Sequence, residues 1–235
     1  MRLSFFVFAA VLTVTLSVAA QTPLSERHFE NGTQAARAGQ FESAIKKYRQ
    51  AILFSGAENE SDDFLARIHF NIGVCLFNLR HTTQAAAEFT EAIKLSRRNY
   101  QKAFYALGMA HGELKNWRAA EAAFREAVKL KKDDGEAWFD LGLALLERED
   151  YDRAETAFQK AIKFESTGAA DAHNNIGVIS ALKANFSAAE IEFKTALIKS
   201  NGKSIEAQSN LEFCKLRKRN FNQNLLARLK FNRKN

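Results

Sequence analysis

One apolar pattern recurs five times along this 235-residue chain, and its period constrains the fold more than any other feature. Four copies align on a glycine: NIGVCLFNLRHTTQAAAEFTEAIKL from Asn71, ALGMAHGELKNWRAAEAAFREAVKL from Ala106, DLGLALLEREDYDRAETAFQKAIKF from Asp140 and NIGVISALKANFSAAEIEFKTALIK from Asn175. A looser copy, NGTQAARAGQFESAIKKYRQAILF, begins at Asn31. Gly73, Gly108, Gly142 and Gly177 lie 35, 34 and 35 residues apart, and each precedes an Ala by 12 positions and an aromatic by 16. A unit of this size cannot bury its own apolar face, so neighbours have to stack and share a core. An array presenting a binding or scaffolding surface therefore fits better than a compact fold around an active site.

The offsets resemble the tetratricopeptide repeat, a helix–turn–helix unit of 34 residues. That family places a small residue at position 8, Ala at 20, an aromatic at 24 and Ala at 27. The matches are Gly32, Ala44, Tyr48, Ala51; Gly73, Ala85, Phe89, Ala92; Gly108, Ala120, Phe124, Ala127; Gly142, Ala154, Phe158, Ala161; and Gly177, Ala189, Phe193, Ala196. The resemblance implies an all-α, right-handed superhelical solenoid of about five helix–turn–helix repeats spanning residues 25–204. Its repeats would cover about 25–58, 66–99, 101–134, 135–168 and 170–203, with a C-terminal capping helix over 205–219.

Two features depart from the family pattern. Its usual Pro near position 32 is absent: Arg97, Lys132 and Ser166 stand there, and the only Pro is Pro23. Softer or more continuous repeat junctions are expected, because proline ends a helix abruptly. Residues Gly56 to Asp63 lie in about seven extra residues between the first and second repeats. They read as a polar loop or a helix extension, with a solvated insertion the simpler expectation.

The two ends of the chain differ from its body. MRLSFFVFAAVLTVTLSVAA (residues 1–20) has one early cation, Arg2, then an apolar run closed by Val18-Ala19-Ala20. This is the pattern of a cleaved signal peptide, followed by a short linker over 21–24. The expectation is export to a periplasm or the extracellular space, with a bacterial source implied by the resemblance. Cys75 and Cys214 fall in units separated by several helices, too far apart to pair, and read as buried small hydrophobes.

The net charge of +7 belongs mostly to the tail. From Lys215 onward come Lys215, Arg217, Lys218, Arg219, Arg228, Lys230, Arg233 and Lys234, with no acid. Without these eight and Arg2, the repeat body carries about −2. Behind a signal peptide no nucleic acid is expected, and an anionic membrane surface is the natural polyanion. Within the tail (220–235), Phe221, Leu225, Leu226 and Leu229 share one helical face. That stripe either folds back onto the last repeat, the favoured reading, or lies on a membrane.

By the resemblance, a ligand would lie on the concave side, lined by positions 2, 5, 6, 9, 12 and 13 of each first helix. The residues carried over are Phe29, Phe70, Asn71, Phe77, Asn78, Tyr105, Met109, Phe139, Leu143, Asn174 and Asn175. Aromatic anchors beside amides suit an extended peptide or a protein segment. The clamp that some members use for a chaperone's C-terminal carboxylate is matched at Asn71 and Lys102 only; Phe29, Thr33 and Ala106 break it. The five histidines form no metal-spaced cluster, and no phosphate loop or nucleophile elbow is present. The chain is therefore expected to be a non-enzymatic binder without cofactor or metal.

Overall fold

A computed structural model describes residues 22–58 and 60–217. The signal-like segment and the tail from Lys218 onward lie outside the described residues. Among the described residues there are eleven helices and no strand: α1 (Leu24–Arg37), α2 (Phe41–Glu58), α3 (Asp62–Asn78), α4 (Thr82–Leu95), α5 (Gln101–Glu113), α6 (Trp117–Leu130), α7 (Gly135–Glu147), α8 (Tyr151–Lys163), α9 (Ala169–Leu182), α10 (Phe186–Lys199) and α11 (Ile205–Arg217). Each odd helix packs on the even helix that follows it, and each even helix packs on the next odd one. Successive first helices also touch, α1 on α3, α3 on α5, α5 on α7, and α9 on α11. The first helices thus form the tighter, inner side of an all-α solenoid.

The spacing of small and large residues explains the pairing. A Cβ added at Gly32, Gly73, Gly108, Gly142 or Gly177 would lie 2.6–2.7 Å from a ring carbon of Tyr48, Phe89, Phe124, Phe158 or Phe193. Real Cβ atoms essentially never come so close. Each aromatic therefore fills the gap inside its own repeat, lying flush on the glycine backbone of the partner helix. The ten alanines at positions 20 and 27 all have zero exposure, so the second helices also approach their neighbours without intervening side chains.

The turns show how helices stop without proline. Position 15 of every repeat takes a left-handed backbone: Gly39 (φ 73°), Arg80 (64°), Lys115 (57°), Glu149 (60°) and Ala184 (60°). In each turn the N–H of position 15 donates to the C=O of position 12, and that of position 16 to position 11. This Schellman arrangement satisfies carbonyls that the helix end leaves open. The same device closes α4 at Arg97, α8 at Glu165 and α10 at Asn201. The junctions are therefore sharp, not softened by the missing prolines.

The extra residues after the first repeat extend helices. α2 runs to 18 residues and α3 to 17, against 13 or 14 for the other helices. Ser61 starts α3 by accepting from the Phe64 N–H at 3.2 Å. The insertion also caps α1, since the Glu58 carboxylate accepts the N–H groups of Leu24 and Ser25 at 2.8 and 3.0 Å.

A buried acid ties the middle repeats together. Glu121 on α6 accepts from Arg153 on α8 at 2.6 Å and from Arg148 at the end of α7. Burial pushes its carboxyl up, but the hydrogen bonds and charges of Arg153 and Arg148 outweigh that and hold it below the usual range. Cys75 is buried in the core around α3, where burial pushes its thiol up to about 11. Cys214 is buried in a separate cluster with Val178, Phe193 and Leu211.

Ala184 holds a left-handed backbone without the freedom of glycine, at a cost of roughly 1–2 kcal/mol. Ala184→Gly should therefore stabilise the protein by about 0.5–1 kcal/mol, after allowing for the added freedom of the unfolded chain. Urea unfolding followed by circular dichroism reads this directly; destabilisation by the glycine would contradict the assignment of strain.

Candidate functional site

The inner surface is built by the first helices, and its position-5 aromatics do two jobs. Each ring packs against the position-24 aromatic of its own repeat: Phe29 on Tyr48 (5.7 Å), Phe70 on Phe89 (5.8 Å), Tyr105 on Phe124 (5.8 Å) and Phe139 on Phe158 (5.5 Å). Phe70 also meets Tyr100, and Phe29 meets Phe64. Phe29, Phe70 and Tyr105 remain half-buried, as do Asn71, Phe77 and Leu143. Asn78 and Met109 are exposed, Met109 to 40%. These eight residues keep part of their surface exposed.

Three residues expected in the groove do not. Phe139 has zero exposure because it is pressed between Phe158 and the Gly168 backbone. Asn174 and Asn175 are fully buried as well. The reason is α11: Asn210 donates from its amide to the Asn174 carbonyl oxygen at 2.9 Å, closing over α9. Phe139 belongs to the core of the middle repeats, whereas Asn174 and Asn175 are buried towards the C-terminal end. Of the basic residues assigned to the tail, Lys215 is exposed at the end of α11 and Arg217 closes that helix. Lys218, Arg219, Arg228 and Lys230 lie outside the described residues.

The electrostatics of the inner surface centre on Asp140. The Tyr105 hydroxyl donates to its carboxylate at 2.6 Å, bridging α5 and α7. Burial raises the Asp140 carboxyl to about 6; the Tyr105 hydrogen bond opposes this and the nearby Asp134 charge adds to it. The phenol of Tyr105 is itself driven well above its usual range by burial and by the Asp140 charge. At the other end, a cleft of about 450 Å³ is lined by Phe29, Glu30, Thr33, Gln34 and Arg37. There the Arg67 guanidinium lies 4.9 Å over the Phe29 ring, a cation–π contact that joins repeats one and two.

The outer side carries a feature that the groove-centred reading missed. A cleft of about 750 Å³ between α6 and α8 is rimmed by Arg125, Lys129, Lys132 and Lys160 over an apolar floor that includes Leu141. Lys160 sits 4.7 Å from the Trp138 ring. Its signal was present in the i, i+4 spacing of Arg125 and Lys129 along one face of α6, with Lys132 just beyond the helix end. The position-4 histidines have structural partners: His69 pairs with Glu88 and His173 with Glu192, each at 2.7 Å, and His28 stacks on Phe54. Among the described residues no group of three His, Cys, Asp or Glu could hold a metal ion, and no helix is long and apolar enough to cross a membrane.

Comparison with known proteins agrees with this geometry. Family models of the tetratricopeptide repeat match residues 66–99 and 105–169. The chain is a tetratricopeptide-repeat protein. Among solved tetratricopeptide solenoids, the crystal structure of MamA is 23% identical, covers 77% of this chain and 94% of its own, and superposes with a TM-score of 0.67. MamA 41-end from Desulfovibrio magneticus RS-1 is 20% identical over 79% and 99% of the two chains, with a TM-score of 0.68. YrrB, described with its crystal structure as a TPR protein with an unusual peptide-binding site, is 21% identical over 80% and 90%, with a TM-score of 0.66. At these identities the likeness shows the tetratricopeptide fold. A comparison with curated proteins finds no match.

Asp140 gives the tetratricopeptide surface a pH dependence. Its folded pKa is raised, so its ionisation between about pH 4 and 6 weakens the fold as pH rises. The full shift corresponds to on the order of 3 kcal/mol. Asp140→Asn keeps an acceptor for Tyr105 and removes the charge. It should raise the thermal midpoint at pH 7.5, with the gain shrinking towards pH 4.5; a gain independent of pH would contradict this reading.

Proposed function

We propose that this tetratricopeptide protein is a non-enzymatic scaffold or assembly factor that works outside the cytoplasm and holds an extended peptide or protein segment along its inner surface. The observation that carries the proposal is the open stretch across α3 and α5. There Arg67, Asn71, Asn78, Lys102 and Met109 occupy inner positions without being sealed into the core. The Asn71 amide takes no side-chain hydrogen bond among the described residues and suits the backbone of an added peptide. An exposed thioether such as Met109 adapts to varied apolar side chains. Arg67 and Lys102 would favour acidic groups in the ligand. The peptide-binding site named for YrrB supports the same ligand class.

Export rests on the signal-like pattern of residues 1–20. The second reading, an adaptor docked on anionic lipid through Lys215, Arg217 and the cations after them, rests on the charge of a segment mostly outside the described residues.

Affinity capture from an envelope extract tests the groove. The bait is residues 21–235, beside a variant carrying Asn78→Ala and Met109→Asp at exposed positions that the core does not use. A partner reduced at least tenfold in the variant is expected; identical captures would contradict the groove. Sequencing the N-terminus of the protein from an extracytoplasmic fraction should begin at Gln21. A protein that retains Met1 would contradict cleavage.

A further inference from the structure

The outer cleft between α6 and α8 follows from what the fourth repeat places at positions 4 and 23. In the second and fifth repeats a His at position 4 meets a Glu at position 23: His69 on Glu88 and His173 on Glu192, each at 2.7 Å. In the third repeat Phe104 holds position 4, buried in the core with Arg98 lying 5.3 Å over its ring. The fourth repeat has Trp138 and Ala157 instead, and both line the cleft. With a methyl where two other repeats carry a carboxylate, and an indole that stays half-exposed, a trough of about 750 Å³ is left open. That lies within the usual range of ligand clefts, roughly 300–1,000 Å³.

The trough joins an apolar floor to a cationic rim. Val128, Leu141, Leu145 and Ala157 form buried parts of the floor, and the half-buried Phe164 adds a ring at its edge. The indole is held in place: its N–H donates to the Lys132 carbonyl at 2.8 Å, and the Lys160 ammonium lies 4.7 Å from its ring. Five cations line the trough, Arg125, Lys129, Lys132, Arg153 and Lys160, against one carboxylate, Glu126. Three of the five have acidic partners: Arg125 and Arg153 reach the buried Glu121, Arg153 also meets Asp150, and Lys129 stands 3.7 Å from Glu126. Of the acids just outside, Asp134 is engaged by Lys131, and Asp133 and Glu165 stand on the loops that follow α6 and α8. Lys132 and Lys160 are exposed and meet no carboxylate among the described residues.

We propose that this trough is a second binding site, separate from the inner surface, for an acidic peptide segment of a partner protein that sets an apolar side chain on the floor beside Trp138 and its carboxylates on Lys132 and Lys160. Charge complementarity carries the choice of occupant. The lining is strongly cationic although the repeat body as a whole is slightly acidic, so an acidic segment is steered to this face. A buried apolar anchor inside a charged rim is the arrangement that gives a peptide both affinity and orientation. The Trp138 face that meets Lys160 is already covered, which disfavours a nucleobase stacked upon it. Two sites on opposite sides of one solenoid let it hold two partners at once, as a scaffold must.

The test selects from a display library of random 12-residue peptides on the whole chain from Gln21 to Asn235, at low salt. Selected peptides should carry Asp or Glu on both sides of a Leu, Phe or Trp. One of them, labelled with fluorescein, is then measured by anisotropy against two variants at exposed positions, with circular dichroism checking that each keeps its helicity. Lys132→Glu with Lys160→Glu reverses the rim charge, and Thr156→Tyr fills the trough without changing charge. The first should weaken binding at least tenfold and the second at least threefold, while Asn78→Ala with Met109→Asp leaves it unchanged. Selection of no acidic peptide would overturn the proposal. Binding that neither variant weakens would assign the peptide to the basic residues after Arg217 and overturn it too. Rim-dependent binding of an oligothymidylate or of phosphatidylglycerol vesicles, without rim-dependent peptide binding, would overturn it in favour of those ligands. The capture experiment on Asn78 and Met109 reads the inner surface alone, so failure of that site and failure of this one are distinguishable.

Discussion

The structure depends on an aromatic ring lying on bare glycine backbone, repeated five times at Gly32–Tyr48, Gly73–Phe89, Gly108–Phe124, Gly142–Phe158 and Gly177–Phe193. With no Cβ in the way, the two helices of a repeat close to ring thickness, and that spacing lets the alanines at positions 20 and 27 meet the next repeat with nothing exposed. The position-5 rings then pack edge or tilt onto the same aromatics, extending one apolar ladder through the first four repeats. Lengthening the side chain at position 8 would push the helices apart and propagate to both neighbours, as expected of a one-dimensional stack.

This ladder also decides what the inner surface has left for recognition. Rings at position 5 pack on the core, so Phe29, Phe70 and Tyr105 keep only part of their surface exposed and Phe139 none. Exposure at positions 2, 6, 9 and 13 is left to residues such as Arg67, Asn78, Lys102 and Met109, while Asn71 is half-buried. Asp140 belongs to both descriptions, as the hydrogen-bond acceptor that joins α5 to α7 and as an acid with a raised pKa.

Much of this was legible in the sequence, because Gly, Ala and aromatic residues at fixed offsets report helix contacts that local geometry determines. The register of all five repeats follows from that pattern. The spacing could not show which inner residues a neighbour covers. Asn175 and Asn71 are equivalent by position, yet Asn175 is fully buried beside Asn174, which lies under Asn210 of α11, whereas Asn71 is only half-buried. Missing proline suggested soft junctions because it is only one way to stop a helix; Arg97 and Glu165 stop theirs with left-handed backbone, which these residue types do not advertise, whereas Asn201-Gly202 is a recognisable stop. Glu121 likewise gives no sign in sequence that Arg148 and Arg153, about 30 residues on, converge on it.

A double-mutant cycle at Gly142 and Phe158, read by urea unfolding, tests the ring-on-glycine contact most directly. The added methyl of Gly142→Ala should destabilise by at least about 1–3 kcal/mol in the native background. In a Phe158→Leu background, where the ring is gone, most of that penalty should disappear, giving a coupling energy above about 1 kcal/mol. Additive effects would mean that the helices do not meet through this ring, and the register on which the whole solenoid is built would be wrong.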